Sequence, residues 1–379
     1  MKKPKLALVR GKFLNAYEMQ IFEPLVDAYD ITAFGSWTSY HNTFAFPVVQ
    51  LPSPMDLPDF PYKMQVLNRL YTDAHYMYGL EEKLRGFAIV HAAETYYHYT
   101  QQALNAKKKG YVKKVVATVL ENIPFNNEGI DGRKEFKERF RKEIDHIIAL
   151  TEGTKSTLLL EGADEKKITV IGHGINTQRF TPAKDWLQKI NSKKKNIIIL
   201  FSGRLEVYKG VFEILYAAKL LIADKDLQNY QMQFVFVGDG SQMQAMLHRE
   251  KSLGIEKHIT HTQVSYDQMP EEYKKADIFV APSKADRYWQ EQYCTALLEA
   301  QAAGLPIVTT ISGGIPENVG DSAVLVGPGD FYALYLSLKA FIQNKGLREI
   351  YAKKARARAE KVHDVEIISE KLAAVYKSL

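Results

Sequence analysis

Twelve short apolar runs, many rich in β-branched residues, recur along the chain, each parted from the next by residues at helical spacing. In the first half they are KLALVR (5–10), DITAFG (30–35), AIVHA (88–92), VVATV (115–119), IIALT (147–151) and ITVIG (168–172). In the second half they are NIIILFSG (196–203), QFVFVGDG (233–240), HITHT (258–262), DIFVAPS (277–283), PIVTT (306–310) and AVLVG (323–327). Runs that stay apolar without alternating belong to strands buried on both faces, and strands joined through helices run parallel. Two sets of six predict two doubly wound α/β domains. The length of 379 residues agrees, because a single core rarely grows beyond about 250–300 residues.

The break between the sets falls in TPAKDWLQKINSKKKN (181–196), which is polar, contains Pro182 and follows neither period. The expected division is therefore 1–183 and 184–362. The end of the chain, DVEIISEKLAAVYKSL, carries apolar residues at helical spacing, so a helix over about 363–379 should dock back on the first domain. No run approaches the roughly 18 apolar residues of a membrane span. The opening MKKPKLALVRGKF is basic and then apolar, but LALV is too short for a signal sequence and reads as a first buried strand. One cysteine excludes an internal disulfide framework and points to a reducing, cytoplasmic setting.

The net charge of +6 is shared evenly by the two halves and does not call for nucleic acid. Two basic clusters stand out, KKKGYVKK (107–114) and RKEFKERFRK (133–142). A solvated helix face with interleaved acids is the simpler reading. Peripheral contact with an anionic inner membrane surface, or with an acidic acceptor, is the sharper one.

In open α/β sheets, ligands bind beyond the carboxyl ends of strands, so the chemistry should lie in the loops that follow them. With two such domains facing each other, a cleft between them is the expected site. YWQEQYCTALLEAQAAGLP (288–306) places Glu291 before a short helix and Glu299 within it, with Thr295 as a candidate N-cap and Gly304 as the stop. Amides of Gln292, Tyr293 and Cys294 would gather at the positive helix end. Spacing alone leaves two readings open. The carboxylates grip sugar hydroxyls, or Glu291 complements the helix dipole while Glu299 is solvated. In FSGRLEVYKGVFEILYAA (201–218), Arg204 and Lys209 flank a turn after a strand, where paired cations could neutralise a diphosphate. In TTISGGIPENVG (309–320), Gly313 and Gly314 permit close backbone approach.

Taken together, GRLEVYKG, VGDGSQ, ADIFVAPS, the E-x7-E element EQYCTALLEA, AAGLPIV and SGGIPENVG resemble the retaining glycosyltransferases of family four. IALTEGTKSTLLL and KITVIGHGINTQRFTP resemble that family more loosely. The resemblance implies a GT-B architecture, α/β, with two Rossmann-like doubly wound domains facing across a cleft, the first on the acceptor side and the second binding the donor. It implies a metal-independent enzyme moving a hexosyl group, with retention, from a nucleotide-diphosphate sugar to an acceptor hydroxyl, without a cofactor. Arg204 and Lys209 would hold the leaving diphosphate, Glu291 would contact the donor sugar and Glu299 the ribose. Gly11, Gly203, Val264, Gln292, Tyr293 and Cys294 would complete the donor site, with Val264 bordering the base. The acceptor could be a glycan, a lipid-linked sugar or a small molecule.

Several positions depart from the family. Cys294 stands where glycine is usual, Leu120 occupies the place of a pocket histidine, and Asn15 and Ala16 replace an early glycine pair. These departures keep two alternatives in view, a nucleotide-sugar-binding protein without transfer and a GT-B nucleotide-sugar epimerase. On the acceptor side the candidates are His91, Glu94 and Glu121. His91, Glu94 and His98 could share one helix face as metal ligands do, but the order of residues is wrong and a fourth ligand is missing, so no metal is expected. Aromatics in PYKMQVLNRLYTDAHYMYG (61–79) suit core packing, an acceptor groove or lipid contact.

Overall fold

The computed structural model describes residues 3–191 and 195–379. The chain forms two compact units. One runs to Gly174 and takes back Val365–Leu379, and the other is Ile175–Asp364. The units part some ten residues before the 183/184 boundary expected from composition. Within the expected linker, Trp186–Asn191 is helical, and residues 192–194 lie outside the described residues.

The first unit holds a seven-stranded sheet of β1 (Lys5–Gly11), β2 (Asp30–Ser36), β3 (Val48–Leu51), β4 (Phe87–Ala93), β5 (Val112–Val119), β6 (His146–Ala149) and β7 (Ile168–Val170). Their spatial order is β3-β2-β1-β4-β5-β6-β7, and every pairing is parallel. The period of two sends neighbouring side chains to opposite faces. Ala7 and Val9 of β1 join one core with Val90, Ala92, Val115 and Ala117, whereas Leu6 and Leu8 join a second core with Ile89 and Val116. Both faces are thus buried, which is why these strands are apolar without a break. The second core is closed by the segment Gln20–Asp27 and by the helix Val365–Ser378, whose Ile368, Leu372 and Val375 pack on it. Ser369 Oγ donates to the Ile21 carbonyl at 2.5 Å. The strand β3 had no counterpart among the twelve runs. It is four residues long, bracketed by prolines and at the sheet edge, so it carries little periodic signal.

The second unit holds β8 (Asn196–Ser202), β9 (Gln231–Val237), β10 (Ile259–Thr262), β11 (Ile278–Ala281), β12 (Ile307–Thr310) and β13 (Val324–Val326). The order is β10-β9-β8-β11-β12-β13, again parallel throughout. In each sheet the chain winds outward from one strand and then restarts on its other side. The points of reversal lie between β1 and β4 in the first unit and between β8 and β11 in the second. Crevices form at such points, and these are where α/β sheets take their ligands.

The basic clusters prove to be largely paired within the first unit. Lys107 and Lys114 lie at 2.6 and 3.6 Å from Asp145, and Lys109 is 2.6 Å from Glu81. Arg133 and Lys137 are buried rather than solvated, bound to Asp73 at 3.1 Å and to Glu161 at 2.5 Å. Conversely, Tyr62 and Leu70 are largely exposed, so the 61–79 segment does not pack wholly into the core. Among the described residues no helix is long and apolar enough to cross a membrane.

Candidate functional site

The loops after β8 and β11 meet at the reversal point of the second unit. Lys209, in the turn Val207–Lys209, places Nζ 2.5 Å from Glu291 Oε2. Ser283, two residues beyond β11, donates its hydroxyl to the same oxygen at 2.8 Å. Glu291 and Ser283 are both buried. Burial pulls the Lys209 ammonium down, but the Glu291 charge and hydrogen bond outweigh it and lift the group above the ordinary lysine range. Arg204 is exposed, with its guanidinium 5.4 Å from the Tyr208 ring centroid. The Tyr208 ring lies tilted against Trp289, with centroids 4.2 Å apart, and Lys209 also lies over Trp289 at 5.2 Å. Arg204 and Lys209 are close enough for each charge to act on the other and for both to act on the Tyr208 phenol.

Two glycines make this convergence possible. A Cβ on Gly210 (φ +73°) would stand 2.0 Å from the Pro282 carbonyl oxygen, and one on Gly313 (φ +52°) would stand 1.9 Å from that of Glu291. Both gaps are far below any real contact, so only glycine lets these backbones touch. The Gly314 amide donates to the Glu291 carbonyl at 2.8 Å, which ties the loop after β12 to the acid. Gly203 begins the loop after β8, and its amide donates to the Val237 carbonyl at 3.0 Å.

The helix Thr295–Ala302 begins beside Glu291. Its N-cap is Cys294, not Thr295, which is the first helical residue. Cys294 adopts φ +58° and ψ +81°, in the left-handed half of the map where glycine is favoured, and its side chain caps nothing. Asn318 holds this turn. Its amide nitrogen donates to the Tyr293 and Cys294 carbonyls, and its oxygen accepts from Gln301 at 2.8 Å. Asn318 lies in the segment SGGIPENVG but had not been singled out, because nothing in its spacing shows which carbonyls it reaches. Burial, then the Glu291 charge, pushes the Cys294 thiol up to about 12, so it is no nucleophile. Gly304 (φ +67°) ends the helix as expected, its amide bonded to Gln301 and that of Leu305 to Ala300.

Glu299 sits inside this helix and is buried, not solvated. Its Oε2 accepts from the Tyr273 hydroxyl at 2.7 Å. Burial raises its carboxyl to about 7, against the lowering pull of Tyr273 and Arg179. Val264 is half-buried in the loop after β10.

In the first unit, Gly11 ends β1 at φ +54°, with the Tyr99 ring 3.3 Å from where its Cβ would be. Glu94 follows β4 and Glu121 follows β5. Glu94 Oε1 accepts from the Leu120 amide at 2.9 Å, and Glu121 Oε1 accepts from the amides of Asn122 and Ile123. His91 does not belong with them. It is fully buried, joined to the Tyr376 hydroxyl at 2.5 Å and to Thr118 at 2.8 Å, and it locks the helix Val365–Ser378 to β4 and β5. It therefore cannot reach an acceptor. His91, Glu94 and His98 lie on a strand, in a loop and at a helix start, not on one helix face. Among the described residues no cluster of His, Cys, Asp and Glu is arranged to hold a metal. Asn15 caps the helix Ala16–Met19, accepting from the Glu18 amide at 2.8 Å, which gives this departure a structural role.

Comparison with known proteins follows the same division of the chain. Residues 183–358 match the family described as glycosyl transferases group 1, and residues 34–179 match glycosyltransferase family 4. A capsular polysaccharide biosynthesis glycosyltransferase, CapM of Staphylococcus aureus, is 26% identical over 248 residues, 61% of each chain. D-inositol 3-phosphate glycosyltransferase 2 of Catenulispora acidiphila is 30% identical over 201 residues, 49% of this chain and 46% of that one. The aligned regions thus span about half to three-fifths of these relatives. Among solved structures, Anabaena HepE in complex with UDP superposes with a TM-score of 0.78 at 17% identity, over 99% of this chain and 100% of that one. Sucrose-phosphate synthase of Thermosynechococcus elongatus gives 0.76 at 17% identity, over 99% of each.

Proposed function

We propose, for a chain that belongs to the family-four type of glycosyltransferases with the GT-B fold, that it moves a hexosyl group from a nucleotide-diphosphate sugar to an acceptor hydroxyl, with retention and without a metal. The reading is carried by one observation, the meeting of Lys209, Ser283 and Glu291 at the reversal point of the second sheet, with Arg204 alongside. Breaking the glycosidic bond to the diphosphate leaves charge on a phosphate oxygen. An ammonium already fixed in place by Glu291, with the forked Arg204 guanidinium beside it, stabilises that charge with little reorganisation at the moment of reaction. Glu291 orients Lys209 and contacts the donor sugar. Glu299, held by Tyr273, takes the ribose hydroxyls. The departing phosphate accepts the proton of the acceptor hydroxyl as that oxygen attacks from the same face. Binding and positioning thus supply most of the rate, and no side chain needs to act as a covalent nucleophile.

A uridine donor is the first to test, because a structural neighbour holds UDP-glucose. Thermal shifts against UDP-, GDP- and ADP-sugars should single out one base, since a ligand that binds only the folded state raises its melting temperature. Turnover that persists in EDTA would support the metal-free reading, and abolition by EDTA with rescue by a divalent cation would reject it. The altered acceptor side, with Leu120 where a pocket histidine is usual and Asn15 and Ala16 in place of an early glycine pair, favours one second reading, a donor-binding protein without transfer. Donor affinity and donor turnover measured on the same sample separate the two.

A further inference from the structure

The loops that follow β8 and β11 each carry one aromatic ring to the place where Lys209 meets Glu291. Tyr208 directly precedes Lys209, and Trp289 stands just before Glu291 in the other loop. Their ring centroids are 4.2 Å apart at an interplanar angle of 43°, and both residues are half-buried. Neither ring is free to drift. The Tyr208 carbonyl accepts from the Lys284 amide at 2.7 Å, and the Lys284 ammonium is pinned to Glu213 at 2.7 Å. Asp286 Oδ1 accepts from the amides of Tyr288 and Trp289 at 2.7 and 2.8 Å. The Asp286 amide returns a bond to the Trp289 carbonyl at 2.8 Å.

Each ring carries one of the two cations. The Arg204 guanidinium lies 5.4 Å from the Tyr208 centroid, and Lys209 Nζ lies 5.2 Å from that of Trp289. Both fall within the roughly 6 Å over which the face of a ring attracts a cation. A carboxylate holds a cation by taking up its charge and its N–H donors. An aromatic face holds it and leaves both available to a phosphate. Lys209 already gives one contact to Glu291, whereas Arg204 is exposed and rests on the Tyr208 ring. The two cations also repel each other. An exposed arginine is free to turn away from a like charge unless something holds it, and ordering it only when the ligand arrives weakens binding.

We propose that Tyr208 and Trp289 are positioning residues for the leaving diphosphate, one ring for each cation, which set Arg204 and Lys209 in place without neutralising them. The inference rests on the transferase reading in naming a diphosphate as the group that the cations meet. Neither ring takes part in bond making or breaking.

The test uses the full chain with Trp289 replaced, at that position alone, by tryptophans bearing one to four fluorines on the six-membered ring. These keep the shape of the indole and drain negative charge from its face. Calorimetry with UDP, GDP and ADP selects the diphosphate that binds most tightly. Its affinity should fall stepwise with each fluorine, reaching about 2- to 10-fold at four, the equivalent of ordering one long side chain on binding. The matching monophosphate should be affected less. Tyr208→Leu should lose about as much as the tetrafluoro chain, and Tyr208→Phe, which keeps a ring, should bind nearly as the wild type does. The fluorine series stands even if the leucine variant does not fold. Affinity indifferent to fluorine overturns the inference, because it leaves the indole with packing alone. A fluorine effect on the nucleotide sugar but not on the diphosphate also overturns it, because Trp289 is then a wall for the sugar. Fluorine-dependent diphosphate binding without donor turnover would reject the transferase and keep the positioning role. Transfer with affinity and kcat both indifferent to fluorine would do the reverse, and failure of all three diphosphates to bind would overturn both.

Discussion

Replacing Lys209 by methionine keeps the length of the side chain and removes its charge. Lys209 and Glu291 retain only 16% and 8% of their side-chain exposure, so their contact is screened little by solvent. The variant leaves the Glu291 carboxylate buried with Ser283 as its polar support on Oε2. Breaking a buried pair from one side costs about 3–5 kcal/mol. For a unit the size of Ile175–Asp364, a loss of about 3 kcal/mol corresponds to a fall of roughly 6–12 °C in melting temperature. Adding Glu291→Gln removes the stranded charge, so the double variant should recover most of that stability, a coupling that a double-mutant cycle measures. Turnover should behave differently. In the proposed reaction the ammonium also stabilises the leaving diphosphate, so both the single and the double variant should turn over about 10²–10³-fold more slowly. The assay pairs thermal melting with nucleoside diphosphate release under saturating donor. A double variant that regains wild-type turnover would show that Lys209 serves only to neutralise Glu291. Lys209→Met with undiminished turnover would remove the proposed mechanism altogether.

Glu299 links pH to stability. Its carboxyl titrates near 7 in the folded chain against an ordinary 4.5, so between those values the folded state holds more protons than the unfolded one. Stability therefore falls as pH rises through that window, and Glu299→Gln should flatten the fall in melting temperature between pH 5 and 8. An unchanged slope would place the titration elsewhere, with Glu94, raised to about 8 by burial and by Glu121, as the group to examine next. Cys294→Gly should leave donor binding and turnover intact, because the half-buried thiol is held protonated and glycine adopts its backbone angles freely. Stability should change by no more than about 1 kcal/mol, and a large loss of turnover on this replacement would assign the thiol a role that its geometry does not suggest.

The strands were legible because burial on both faces keeps most polar residues out of their middles, leaving apolar runs that stand out without any alignment. The edge strand β3 lacks that pressure and was missed. Arg204, Lys209, Glu291 and Glu299 were visible as residue types at strand ends, but their partners were not. The contact of Lys209 with Glu291 spans 82 positions and depends on Gly210 and Gly313 letting three loops touch. His91 misled because a histidine near the end of a strand looks the same in sequence whether it faces a ligand or, as here, a tyrosine 285 positions away.

The helix Val365–Ser378 completes the core of a unit whose other residues end at Gly174. On a ribosome, roughly 190 residues must be made between the two pieces, a delay of about 10–40 s at typical elongation rates. Throughout that interval the core around Leu6, Leu8 and Val116 has the Gln20–Asp27 segment over it but not the helix. The nascent first unit thus stays incompletely packed until the late helix arrives, whereas the contacts of Ile175–Asp364 all lie within one continuous stretch.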